Sequence, residues 1–546
     1  MRRVQSAAVL LGILLSAGQA CAQRGVPAAP AATPALPTPS GLRPQLVLFL
    51  TVDQLRPDYI TRWDAQFTGA FRRLLDESRF YVNAVHDHGI TETAPGHAST
   101  MSGRFPYSTG IASNSAGVNT SAAPLVDSEG VGASPFRFKG TTLTDWLRAI
   151  QPDARVMSVS RKDRSAILPI GAGQHSVFWY AQRSGKFTTS IYYAQSLPEW
   201  VQEFNAEDHA GKRYAGRVWN LLLPESNYPE PDSVVAESAG REPMFPHPMP
   251  DDPELARNVI IGRPWMDQMT LDFAWRGIRE MELGAAEGRT DILAVSLSAL
   301  DAVGHRWGPD SREVHDHMLR LDRMLGTFLD SLFALRGREN VVIALTADHG
   351  TAPIPEVRST WGDNSRASRM TSADMEPVIA AVAPLIRRLQ LDATAFNLDW
   401  GVLEVDRSKL QGKESEVRTV AREFARQARR VRGVMRADAI DDLARADTVR
   451  DMYARRWLHT FRPGGEAIAV VTMEPYWLYG NSISTHGSPH DYDAKVPVIF
   501  WGAAFQAGQD SSTARVVDMG PTLAHLLGVP PLEKLDGVVL GSAFKR

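Results

Sequence analysis

The sequence predicts an α/β layered fold, a mostly parallel central sheet flanked by helices and carrying large cap insertions. Three observations predict it. Five short apolar runs rich in β-branched residues recur along the chain. Helical periodicities lie between them. The apolar runs end in clusters of Asp, His, Arg and Lys, which is where ligands gather in open α/β sheets.

The strands come first. Leu46–Val52 ends at Asp53, Val156–Ser160 at Arg161–Arg164, and Asp291–Ser298 near Asp301. Val341–Thr346 ends at Asp348-His349, and Val496–Trp501 is the fifth run. Continuous apolar runs of this length suit strands buried on both faces. Val314, Met318, Leu321, Leu325, Phe328 and Leu332 recur at helical spacing, as do Val417, Val420, Ala421, Phe424, Ala428 and Val431. The Arg-rich run 422–432 reads as the solvated face of that second helix. Stretches 175–285 and 351–480 lack the strand–helix rhythm and read as insertions bordering the site.

Composition narrows the function. Of 546 residues, 44% are hydrophobic and 22% charged, and the net charge is −3, a balance that excludes an electrostatic nucleic-acid binder. One Cys excludes a disulfide framework and any Cys-based metal cluster. Arg2 and Arg3, the apolar Ala7–Leu15 and Ala20-Cys21-Ala22 read as a secretory signal peptide over 1–22. Gly18 before Cys21 argues against a lipoprotein signal. Cleavage would leave a thiol-free chain of charge −5 in a periplasmic or secreted location, with no stable membrane insertion. Residues 23–43 form an Ala/Pro-rich linker, and 44–546 the folded domain.

The chemistry concentrates in residues at the predicted strand ends. Asp53, Asp301 with His305, Asp348 with His349, and His486 offer three carboxylates and three imidazoles. Two sites of mixed oxygen and nitrogen ligands can be built from them, a donor set that suits zinc. In Thr91-Glu-Thr-Ala-Pro-Gly-His97, Pro95-Gly96 is expected to form a turn, with a helix starting at Ala98. A hydroxyl there can act as a nucleophile facing an anion. Lys162 and Arg164, two apart in an extended segment, would share a face and bind phosphoryl oxygens. His315 and His317 are expected on different helix faces. His86, His88 and His247 have no acidic partner at a useful spacing, whereas His97 and His490 lie close to the proposed site.

In these residues the chain resembles the alkaline phosphatase superfamily, above all its periplasmic, phosphate-irrepressible branch with a Thr nucleophile. It is also similar to nucleotide pyrophosphatase/phosphodiesterases. The resemblance runs from Asp53 to Asp518-Met-Gly-Pro-Thr-Leu-Ala-His525 and implies a three-layer alkaline-phosphatase-like fold. It implies that Thr93 is the nucleophile and contacts one of two Zn2+ ions. Asp53, Asp348 and His349 would hold that ion; Asp301, His305 and His486 would hold the other. Ser160, Lys162 and Arg164 match a family Ser-x-Lys-x-Arg element. Asn114 matches a phosphate-binding Asn, with Asn119 as the alternative. His490 stands where a Tyr is common.

The implied activity is hydrolysis of small-molecule phosphate monoesters to inorganic phosphate through a phospho-Thr93 intermediate. A phosphodiesterase is the alternative within the same chemistry, and an inactive zinc-stabilised envelope protein the alternative outside it. Thr93-Ala-Pro-Gly-His97 lacks the Cys/Ser-x-Pro-x-Arg that a sulfatase needs, and a cofactor-independent phosphoglycerate mutase would carry Ser at that position.

Overall fold

A computed structural model describes residues 43–362 and 366–545. The expected signal peptide, and all of the linker except Arg43, lie outside the described residues. Among the described residues a nine-stranded sheet forms the centre. Its order is Gly508–Arg515, Arg79–Val85, Val498–Trp501, Val341–Thr346, Leu46–Val52, Asp291–Leu297, Val156–Ser160, Ser176–Ala181, Lys186–Thr188. The five strands from Val341–Thr346 to Ser176–Ala181 pair in parallel. Val498–Trp501 runs antiparallel to both neighbours, and Lys186–Thr188 is antiparallel at one edge.

The central strands are buried along their whole length, so both sheet faces are covered. Arg312–Arg336 is one covering helix: Ser311 caps its start by accepting from the Val314 N–H, and Gly337 ends it at a φ of 79°. Its apolar stripe is the one expected from the sequence. Pro264–Glu280 is another, opening on a proline that needs no N–H bond at that position.

The two expected insertions differ from each other. Stretch 175–285 is only partly one, because Ser176–Ala181 and Lys186–Thr188 extend the main sheet and Pro264–Glu280 packs beside it. These short strands carry aromatic residues instead of a long aliphatic run, which hid them from a pattern search. Stretch 351–480 builds a second, four-stranded antiparallel sheet from Phe396–Asp399, Val402–Val405, Val434–Ala439 and Ala467–Met473. Helix Glu414–Ala428 packs on it, and Val417, Val420, Phe424, Val405 and Val471 share a separate apolar core.

Register places the site. Val52 pairs with Leu297 and Thr51 with Thr346, while Ser160 pairs with Ser296. Asp53, the Ser298–Asp301 turn, Asp348 and the Arg161–Arg164 segment therefore emerge at one end of four adjacent strands.

Candidate active site

At that end the six expected ligands form two groups: Asp53, Asp348 and His349, and Asp301, His305 and His486. In each group the donor atoms lie within 4.8 Å of one another. Asp301 and His305 are one turn apart on helix Ala299–Trp307. His486 comes from the loop beyond the second sheet, and its ring stacks on that of His349 with centroids 3.4 Å apart.

The imidazoles are oriented through their outer nitrogens. Nδ1–H donates to the Gly350 carbonyl from His349 (2.9 Å), to Ser484 from His305 (2.8 Å) and to Thr91 from His486 (2.8 Å). A carbonyl can only accept, so in a neutral ring each Nε2 is the lone-pair nitrogen, and it faces a carboxylate of its group. This is the usual second-layer arrangement of metal-binding histidines. Burial pushes His349 down to about 3, against the opposing pull of Asp53 and Asp301. Burial and then its His349 and His305 neighbours hold His486 well below the usual range. Both are neutral rings, as a metal requires. His305 goes the other way: the attraction of Asp301 outweighs burial and raises it.

The carboxylates also fit metal ions. Asp53 Oδ1 and Asp348 Oδ2 accept no hydrogen bond, although both residues are fully buried, and Asp53 Oδ2 meets only the Lys162 ammonium, at 2.6 Å. Asp348 Oδ2 lies 3.2 Å from His97 Nδ1, but that nitrogen already donates to the Thr93 carbonyl at 2.9 Å. Burial, then repulsion from Asp301 and Asp348, raises Asp53. Burial pushes Asp301 upward too, but Lys162 and His305 overcome it and hold that carboxyl well below its ordinary range. Three converging carboxylates, with unbonded oxygens on Asp53 and Asp348, call for positive charge beyond that of Lys162.

Thr93 opens helix Thr93–Thr100, and its Oγ1 lies 3.4 Å from His349 Nε2 and 3.3 Å from Lys162 Nζ. The expected turn at Pro95-Gly96 is absent: both residues are inside the first turns of the helix. Proline is tolerated there because its missing N–H would have no helical partner. Gly96 is required by contact, since a Cβ would stand 2.2 Å from the Asp348 carbonyl oxygen.

Asn114 stands beside Thr93. Its Oδ1 accepts from the Ala94 N–H (2.9 Å), and its own N–H donates to Glu92 Oε2 (2.6 Å). Asn119 is exposed and bridges to Ala133.

The cationic element differs from expectation. Lys162 is extended, but helix Asp163–Ile167 begins at the next residue, so the expected shared face is lost. Lys162 Nζ turns inward to Asp53 Oδ2 (2.6 Å) and Asp301 Oδ2 (2.7 Å), one carboxylate from each group. Arg164 stays at the rim, 3.8 Å from Asp163 and within electrostatic reach of Glu92. Arg161, which the sequence did not single out, is 3.8 Å from Asp301.

Gln54 was likewise invisible to motif reasoning. Its N–H donates to Asp348 Oδ1 (3.1 Å) and its Nε2 to Asp301 Oδ1 (3.0 Å). His490 belongs to neither group: its two ring nitrogens meet the Tyr453 hydroxyl (3.1 Å) and the Met473 carbonyl (2.9 Å). His315 and His317 do face apart, toward Glu230 and Asp267. His247, expected to lack an acidic partner, meets Glu313 at 2.8 Å, a pairing that only the fold brings together.

Comparison with known proteins gives the family. The profile of type I phosphodiesterases / nucleotide pyrophosphatases matches residues 47–489. The alkaline phosphatase PafA of Elizabethkingia meningoseptica is 30% identical, over 95% of this chain and 96% of its own. A Myroides odoratus protein named calcium-transporting ATPase is 31% identical over 89% of this chain and 92% of its own. The crystal structure of wild-type PafA superposes with a TM-score of 0.83 at 27% identity, covering 93% of this chain and 100% of that one. The fold is thus alkaline-phosphatase-like, and the chain belongs to the type I phosphodiesterase / nucleotide pyrophosphatase family.

Proposed function

We propose that this protein is an alkaline phosphatase that hydrolyses phosphate monoesters through a phospho-Thr93 intermediate. The observation that carries the reading is the meeting of two three-residue ligand groups around one buried hydroxyl at a helix start. Asp53, Asp348 and His349 would hold one zinc ion, with Thr93 as a further contact, and Asp301, His305 and His486 the other. The oxygen and nitrogen donor set suits zinc. Bound there, the ions supply Lewis-acid stabilisation of oxygen anions.

The chain's own groups do the rest. Thr93 Oγ1 forms the bond to phosphorus, and the ester P–O bond on the opposite side breaks, releasing the alcohol. Lys162 Nζ, 3.3 Å from Oγ1, holds the nucleophilic oxygen in its anionic form. Asn114, clamped by Glu92 and Ala94, presents its amide to an equatorial oxygen, and Arg164 reaches in from the rim. Charge is then met where it sits in the transition state. Water attacks the phosphothreonine, frees inorganic phosphate and restores the hydroxyl. Arg2, Arg3 and the apolar segment behind them support a secreted or periplasmic location. No described helix is long and apolar enough to cross a membrane.

The matched family profile favours a second reading, a phosphodiesterase, because its description names that activity. The test is the ratio of kcat/KM for an aryl phosphate monoester to that for the matching diester, on zinc-loaded protein. A large ratio toward the monoester supports the phosphatase. A ratio toward the diester transfers the protein to the second reading, and Lys162 and Arg164 then need another role.

A further inference from the structure

Gln54 is fully buried, carries a left-handed φ of 68°, and touches both ligand groups. Its backbone N–H serves Asp348 and its side-chain amide serves Asp301. Only its Oε1 has no partner; that atom rests against Gly304, where a Cβ would stand 1.8 Å away. Gly304 lies between Asp301 and His305 on helix Ala299–Trp307, so the helix is glycine where the amide must pass. A non-glycine residue held at positive φ is costly, and such conformations gather at functional sites.

We propose that Gln54 is a positioning residue that ties the two metal groups together and fixes the Asp301 carboxylate for its ion. The inference rests on the two-metal reading above. A hydrogen bond to a ligand carboxylate orients it, and losing such a bond typically weakens metal binding by about 10–100-fold.

The geometry makes the effect one-sided. A side-chain substitution removes the amide from Asp301 but keeps the backbone N–H on Asp348. The Asp301–His305–His486 site should weaken while the Asp53–Asp348–His349 site holds. Gln54→Met is the variant of choice, because Met matches Gln in length and lacks the donor. Folding of the metal-free protein should suffer little: Asp301 Oδ1 loses one donor but keeps His305 Nε2 at 3.1 Å, while the amide oxygen without a partner gives way to a thioether and methyl group.

The experiment titrates zinc against a chromophoric chelator for wild type and Gln54→Met, and records the melting temperature of each metal-free protein. Cadmium-113 NMR of the cadmium-loaded proteins distinguishes the site with two imidazoles from the site with one. Support is a loss of about 10–100-fold at the two-imidazole site alone, with a metal-free melting temperature lowered by no more than about 3 °C. Gly304→Ala, which displaces the amide, should give the same loss, and the double variant should lose no more than either single one. Unchanged affinities, an equal loss at both sites, or a larger fall in the metal-free melting temperature would overturn the proposal, as would additive single effects. Wild type that fails to bind two ions would overturn the two-metal reading itself. That outcome is told apart because it shows without any substitution.

Discussion

Lys162 gives the sharpest energetic prediction. Its ammonium is 2.6 Å from Asp53 and 2.7 Å from Asp301, and its side chain is only 6% exposed. Lys162→Met keeps the stem and removes the charge, leaving two buried carboxylates without their shared counter-ion. Breaking a buried pair in this way costs about 3–5 kcal/mol. Unfolding entropy of ~2 cal/mol/K per residue gives about 1 kcal/mol/K for a chain of this length, so the metal-free variant should melt about 3–5 °C lower. In the zinc-loaded protein the ions neutralise the same carboxylates, and the difference should shrink toward zero. By linkage, zinc then binds the variant at least about tenfold more tightly than wild type, since about 1.4 kcal/mol corresponds to a factor of ten. Differential scanning calorimetry on chelator-dialysed and zinc-loaded samples reads both quantities. An equal fall in melting temperature in the two states would refute the reasoning, because Lys162 would then act through packing and not through those carboxylates.

Three further predictions follow from other parts of the site and fold. Thr93→Ala should lose at least about 10³-fold in kcat yet keep both metal ions, checked by turnover and metal analysis together; undiminished turnover would remove Thr93 as nucleophile. Gly96→Ala forces a methyl group to 2.2 Å from the Asp348 carbonyl oxygen, and should cost at least about 1–3 kcal/mol and loosen the ion held by Asp348, seen by calorimetry and metal retention. Burial, then Glu313 and Asp232, push the carboxyl of Glu237 up to about 9. Above pH 4.5 the unfolded chain releases this proton while the folded one keeps it, so stability falls as pH rises toward about 9 and then levels off. Glu237→Gln should therefore match wild type in melting temperature near pH 4 and exceed it increasingly up to about pH 9, by at most ~1.4 kcal/mol per pH unit. A constant offset across that range would count against the shift.

Asp53, Asp301 with His305, and Asp348 with His349 were legible in the sequence because each follows an apolar run that reads as a buried strand, whereas the division into two ligand groups and the place of His486 came from the family resemblance. Strand ends in a parallel sheet share one edge, so Asp53, Asp301 and Asp348 could be placed together without knowing strand order. The outer strands escaped detection. Gly508–Arg515 is mostly polar, since an edge strand open to solvent has little need of an apolar run. The inward turn of Lys162 and the rim position of Arg164 depend on where a one-turn helix starts, which local propensity does not determine. Gln54 carries no motif at all. Its role comes from a backbone conformation and from the glycine facing it across the sheet edge, two facts that exist only in three dimensions.

The chain order of the ligands has a consequence for biosynthesis. The first group is complete once residue 349 has been made, but the second waits for His486, beyond the entire second sheet. On the two-ion reading proposed above, a partly made or partly exported chain therefore carries all three ligands of one ion while lacking one ligand of the other. Capture of the second ion becomes a late event that reports completion of the intervening lobe.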